Sequence, residues 1–246
     1  MLVIQPCCRS RLTAQDLAFI QSVLTSHEEQ QAKLAELLAD PEARDMVLDD
    51  PALMRALLEV RRCLPVSPRL YFYVLVRHVL RRFGLHDRTV ADYIAEMLAE
   101  FARTERWRNP LPGRDLGVDY LYEILAALRD VDDTTAFLLR THLANHTLFL
   151  SGLFATHIEY RLQRRGAPGL RYYQEVGRAS YRAARDHRLA QQYGLTGVFD
   201  TLAEQFEQAR QALTDLSDRL LTLESLDRSL EDALHSMAAM DPESAN

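Results

Sequence analysis

From Phe199 to Met237 the chain places a residue at alternating steps of three and four, through Leu202, Phe206, Ala209, Leu213, Leu216, Leu220, Leu223, Asp227, Leu230 and Leu234. All of these but Asp227 are apolar. A strand repeats every two residues, so the spacing predicts one unbroken helix whose apolar seam recurs about every 3.5 residues and has to be covered by another helix. At about 1.5 Å per residue that helix would be roughly 58 Å long, more than the width of a small domain. Its flanks are mostly small or apolar, with Ala203, Ala212, Ser217, Leu226 and Ala233, and only Arg219 and Glu224 form a clear interhelical ion pair for a parallel dimer. A two-stranded zipper would carry more such pairs, so a stripe this broad is better suited to packing on more than one neighbour, as in a bundle or a helix folded back on its own domain, with dimerisation or a partner groove as the alternative. Asp227 interrupts the seam and either sets a register or marks where the helix leaves its neighbour.

Charge separates this region from the rest. Residues 199–246 carry eleven Asp or Glu against three Arg, a net of −8, while the whole chain is −6, which leaves the first 198 residues at +2. An acidic helix does not serve as a nucleic-acid arm. Lys33 is the only lysine among 29 basic residues, so arginine abundance reflects residue usage rather than phosphate recognition. Cys7, Cys8 and Cys63 make no CxxC pair, zinc spacing or disulfide framework, which points to a reducing cytoplasm. The N-terminus lacks the layout of a signal peptide. The most apolar internal stretch, Leu143 to Ala155, contains His146 and is too short to span a bilayer of about 30 Å as a helix.

Helix starts recur at Thr13, Ser26, Asp40, Asp50, Ser67 and Thr89. Each is followed by a proline or an acid in the next few positions, so six helices are expected in the first 105 residues. Gly84 closes the fifth of them. Trp107 to Gly117, WRNPLPGRDLG, is the clearest irregular connection. Val118 to Val131 then reads as a helix, Asp132 or Asp133 begins another that runs to Arg165, and Leu170 to Tyr193 forms a further helix closed by Gly194.

Two constellations could carry chemistry. His142, His146 and His157 fall within about 60° of one another on a single helix, as metal ligands or an acid–base set would. Yet no Glu follows His142 to make HExxH, and the paired ExxH motifs of a di-iron bundle are missing, so core histidines are the simpler reading. In LFLSGLF (148–154) and the segment around YYQEVGRASY (172–181), Ser151, Gly152, Ala155 and Gly177 allow close helix approach, with Tyr173 and Tyr181 packing across the gap. The same residues, with Tyr172, Glu175 and His157, would alternatively line a small-ligand pocket. A basic helix after Ser67 carries Arg69, Arg77, His78, Arg81 and Arg82, preceded by Arg61 and Arg62 and accompanied by Tyr71 and Tyr73. It reads as a rim salt-bridged to acids elsewhere rather than as a nucleic-acid face. Glu96, Glu100 and Glu123 read as acids on solvated faces. Phosphate-cradling glycine loops, a nucleophile elbow and haem attachment are not in the sequence.

The strings SPRLYFYVLVRHVL (67–80), DYIAEMLAEF (92–101), LFLSGLF and YYQEVGRASY resemble an uncharacterised bacterial all-helical family over residues 67–183. That resemblance implies an all-α fold, no established activity and no site residue to carry over.

The expectation is therefore an all-α, multi-helix domain over residues 1–194, with a sub-boundary at 107–117. A long heptad-patterned helix follows over 195–238, and a disordered tail over 239–246. The protein is expected to be cytoplasmic and bacterial in style, without a cofactor, metal or catalytic centre, and to act by protein–protein interaction as a homodimer, adaptor or scaffold. Its interaction helix is Phe199, Leu202, Phe206, Leu213, Leu216, Leu220, Leu223, Leu230 and Leu234. The alternative is a helical enzyme or a ligand- or metal-binding sensor built on His142, His146, His157, Tyr173, Glu175 and Tyr181.

Overall fold

A computed structural model describes residues 3–59, 66–102 and 121–221. Among the described residues the chain is helical without strands. The first six helices are α1 (Ala14–Leu24), α2 (Glu28–Ala39), α3 (Pro41–Leu48), α4 (Pro51–Glu59), α5 (Pro68–Arg82) and α6 (Arg88–Phe101). They are followed by α7 (Leu121–Ala127), α8 (Asp133–Leu153), α9 (Ala155–Arg165), α10 (Leu170–Arg185), α11 (Arg188–Gln192), α12 (Thr196–Glu204) and α13 (Phe206–Leu221). The Trp107–Gly117 connection, Arg61, Arg62 and Cys63 lie outside the described residues.

Local chemistry sets the starts. Thr13 and Asp16 form a reciprocal capping box at α1. Asp40, Ser67 and Asp132 each accept a free backbone N–H in the first turn of α3, α5 and α8. Two expected caps move: His27 rather than Ser26 precedes α2, and Asp87 rather than Thr89 caps α6 by accepting from Thr89 and Val90. Gly84, Gly166 and Gly194 take φ of 83°, 64° and 67°, the left-handed conformation a helix stop asks of glycine.

The core is organised around α8, whose most extensive partners are α10 and α13, while α5 lies between α6 and α13. Two glycines permit this packing. A Cβ on Gly177 would sit 2.4 Å from the Phe206 ring and 2.6 Å from Thr147 Oγ1, and one on Gly152 would sit 2.7 Å from Leu213 Cβ. The close approach expected at LFLSGLF and YYQEVGRASY therefore occurs, with α13 as the helix that moves in.

Three expected helices are interrupted. The helix expected to run from Asp133 to Arg165 breaks at Phe154, whose φ of −121° and ψ of 31° leave helical geometry. Leu170–Tyr193 divides at Asp186–His187, where His187 caps α11 by accepting from the Leu189 N–H. The seam helix is broken at Gln205, φ −106° and ψ 32°, into α12 and α13. That break lets one apolar stripe serve two sets of neighbours, since α12 packs on α10 and α6 while α13 packs on α8 and α5. Phe199, Leu202, Phe206, Ala209, Leu213 and Leu216 are all buried in their own chain. The seam up to Leu216 is thus covered intramolecularly. Leu223, Leu230 and Leu234 lie outside the described residues, as does the side chain of Leu220.

Candidate functional site

The histidines and tyrosines singled out by the sequence do not converge. His142 and His146 are buried on α8 with ring centroids 5.6 Å apart, and His142 lies 5.8 Å from the Phe101 ring. His157 stands beyond the Phe154 break on α9, where it is exposed. Burial pulls His146 down to about 4, so it is neutral at physiological pH. Glu175 is exposed and pairs with Arg171 one turn earlier, and Tyr173 is half-buried. Tyr181 is fully buried on a different face of α10 from Glu175 and donates to Asn145 Oδ1 at 2.7 Å. Tyr93 on α6 donates to the same oxygen at 3.0 Å. Burial raises both phenols, so both remain donors at every physiological pH. One amide oxygen thus ties α6, α8 and α10 together, with the Phe199 ring 5.7 Å from each tyrosine ring. Among the described residues no group of three or more His, Cys, Asp and Glu is placed to hold a metal ion.

A second polar cluster joins the N-terminal segment to α6. Asp92 and Glu96, one turn apart, are both buried. Asp92 accepts from the Cys8 N–H at 2.6 Å and from Arg9 Nε at 2.9 Å. Glu96 receives both prongs of Arg69 at 2.7 Å and the Cys8 thiol at 3.3 Å. Burial raises Asp92 despite Arg9. Burial also pushes Glu96 up, but Arg69 and the Cys8 thiol outweigh it and hold that carboxyl below its ordinary range. Glu96 is therefore a buried, paired acid rather than one on a solvated face. Burial raises the Cys8 thiol well above its usual value, which leaves it a donor rather than a nucleophile. Asp49 organises a third cluster, with Arg77 Nε and Arg88 Nη2 both at 2.8 Å and Arg81 at 3.7 Å. Burial opposes its ionisation, but the Arg77 and Arg88 bonds prevail and lower its carboxyl.

The expected basic rim is thus consumed by acids: Arg69 by Glu96, Arg77 and Arg81 by Asp49, and Arg82 by Asp215 at 2.9 Å. Arg77 is buried outright, beyond what a rim position would require. These groups satisfy one another, so they fix helix positions.

Among the described residues large apolar side chains are exposed at Leu37, Met46, Tyr122, Leu125 and Tyr193, and three more fall together on the α9–α10 hairpin. On α9 only Ile158 is buried, while Tyr160 and Leu162 are 53% and 45% exposed and Tyr172, at the start of α10, is 37% exposed. Leu162 reaches over the connecting loop, where a Cβ on Gly169 would meet its Cδ2 at 2.8 Å. Arg164 lies over the Tyr160 ring at 5.6 Å. Sequence reading missed this face because it treated 133–165 as one helix. The signal available was Tyr160 and Leu162 among Arg161, Arg164 and Arg165, an aromatic and aliphatic pair inside a basic run.

No helix of the described residues is long and apolar enough to cross a membrane. No family model, no curated protein and no solved structure matches the chain.

Proposed function

We propose that the protein acts by protein–protein interaction, assembling as a homodimeric scaffold through the α9–α10 hairpin. The observation that carries this reading is the set of exposed large side chains Tyr160, Leu162 and Tyr172 on two consecutive helices, beside Arg164, which lies over the Tyr160 ring. Tyrosine and arginine around an apolar centre are the composition of energetic anchors at protein interfaces. By contrast, the buried carboxylates Asp92 and Glu96 and the buried Arg77 are held in ion pairs that serve the fold. Cys7 and Cys8 are free thiols, in keeping with a reducing cytoplasmic setting. The test is sedimentation equilibrium of the wild type and a Tyr160→Asp/Leu162→Asp variant across about 1–100 µM, the range in which modest interfaces dissociate. A wild-type dimer that the double variant converts to a monomer with unchanged melting supports the reading. A monomeric wild type, or a dimer indifferent to the two substitutions, overturns it.

A further inference from the structure

Independently of the hairpin, we propose that the arginines gathered at Asp49 form a binding site for a phosphate group. Asp49 closes α3, and three guanidinium groups from two other helices reach it: Arg77 and Arg81 from α5 and Arg88 from the first turn of α6. Arg77 by itself fills the structural role. Its Nε and Nη2 take the two carboxylate oxygens at 2.8 and 3.1 Å and its Nη1 the His86 carbonyl at 2.8 Å, and the residue is only 4% exposed. One carboxylate neutralises one guanidinium, so the pairing that fixes these helices leaves the charges of Arg81 and Arg88 over.

Those two also keep donors in hand. Arg88 gives Nη2 to Asp49 Oδ2 at 2.8 Å, while its Nε is buried without a hydrogen-bond partner among the described residues. Arg81 stands 3.7 Å from the same oxygen, an ion pair too long for a hydrogen bond. Their side chains are 44% and 37% exposed for Arg81 and Arg88, so both reach solvent from one point on the surface. Neighbouring acids are committed elsewhere: Asp45 and Asp92 share Arg9, Asp50 accepts from the Ala52 N–H, and Asp87 accepts from the Thr89 and Val90 N–H groups.

Three guanidinium groups held around a single carboxylate repel one another, and a further anion relieves that repulsion. Phosphate suits the place on two counts. Arginine forks offer paired N–H donors to a tetrahedral oxyanion, and a dianion matches a surplus of two positive charges. Asp49 is then a positioning residue, which holds the guanidinium groups in one fan without touching the ligand.

The experiment is a calorimetric titration of the full-length chain with inorganic phosphate, sodium chloride keeping the ionic strength constant. The wild type is expected to bind one phosphate per chain with a dissociation constant of about 1 mM or tighter. Arg81→Gln and Arg88→Gln are each expected to weaken binding by about tenfold or more, and Arg81→Lys, which keeps the charge but loses the fork, by about threefold. Arg82→Gln removes the same charge one residue away, from an arginine paired with Asp215, and is expected to leave binding within about twofold. The Arg81 side chain makes no hydrogen bond among the described residues, so Arg81→Gln is expected to melt as the wild type does, which separates lost binding from lost folding. Phenyl phosphate and a phosphoserine hexapeptide form a second arm: tighter binding of one of them supports the site and identifies a small ester or a phosphorylated protein segment as the source, and equal binding of all three assigns the free ion. No saturable phosphate binding up to about 50 mM overturns the proposal. So does binding that survives both Arg81→Gln and Arg88→Gln, or an equal loss in Arg81→Gln and Arg82→Gln.

Discussion

Helices α8 and α9 follow one another with only Phe154 between them, yet they answer to different environments. On α8, thirteen residues are buried, polar Thr141, Asn145, Thr147 and Ser151 among them, because α10 and α13 pack along it. On α9, Ile158 alone is buried, and Arg164, Arg165, Tyr160 and Leu162 are exposed. Both segments are α-helices, of 21 and 11 residues. What differs is how many neighbours each has, and so how much of its surface is decided by packing rather than by water.

The sharpest way to break this contrast is to remove a core side chain on which α8 depends. Phe206→Ala would empty the space facing Gly177 and Thr147, and an unfolding free-energy loss of about 3–5 kcal/mol is expected by denaturant titration. A loss below about 1 kcal/mol would mean that α13 is not seated there. Asn145→Leu keeps the shape but strands two buried phenols, and a loss of about 2–4 kcal/mol is expected. Adding Tyr93→Phe and Tyr181→Phe should recover part of it, and failure to do so would remove Asn145 from its bridging place.

His146 gives α8 a pH signature. Its pKa falls from 6.5 unfolded to about 4 folded, so the unfolded chain binds the extra proton between those values. Stability is expected to drop as pH falls from about 6.5 toward 4, by up to about 3 kcal/mol. His78, lowered by burial despite its bond to the Val74 carbonyl, adds to the same direction. Equilibrium unfolding of His146→Gln should show a shallower slope over that window; an unchanged slope would contradict the burial of a neutral imidazole. The smallest effect is expected on the other side of the contrast, where Leu162→Ala should change stability by no more than about 0.5 kcal/mol while weakening association.

Much of the architecture was legible. Helix starts at Thr13, Asp40, Ser67 and Asp132, and stops at Gly84, Gly166 and Gly194, could be read because a cap and the groups it satisfies lie within a few residues of one another. The heptad spacing announced that Phe199 through Leu216 had to be covered. The breaks at Phe154 and Gln205 were illegible, since neither carries a proline or glycine. Each is imposed by what the two halves pack against, and the separation of His157 from His142 and His146 follows from the first of them.

By itself, then, the sequence determined the helical class, most helix limits and the existence of an apolar stripe, because periodicity and capping are short-range. Only the tertiary structure decided that the stripe's first half lies within its own domain, that Glu96 is buried, and that α9 stays open. Glu96 finds the Cys8 thiol across 88 residues, and such a pairing exists only once the chain has closed, because a carboxylate leaves water only where a distant donor replaces it.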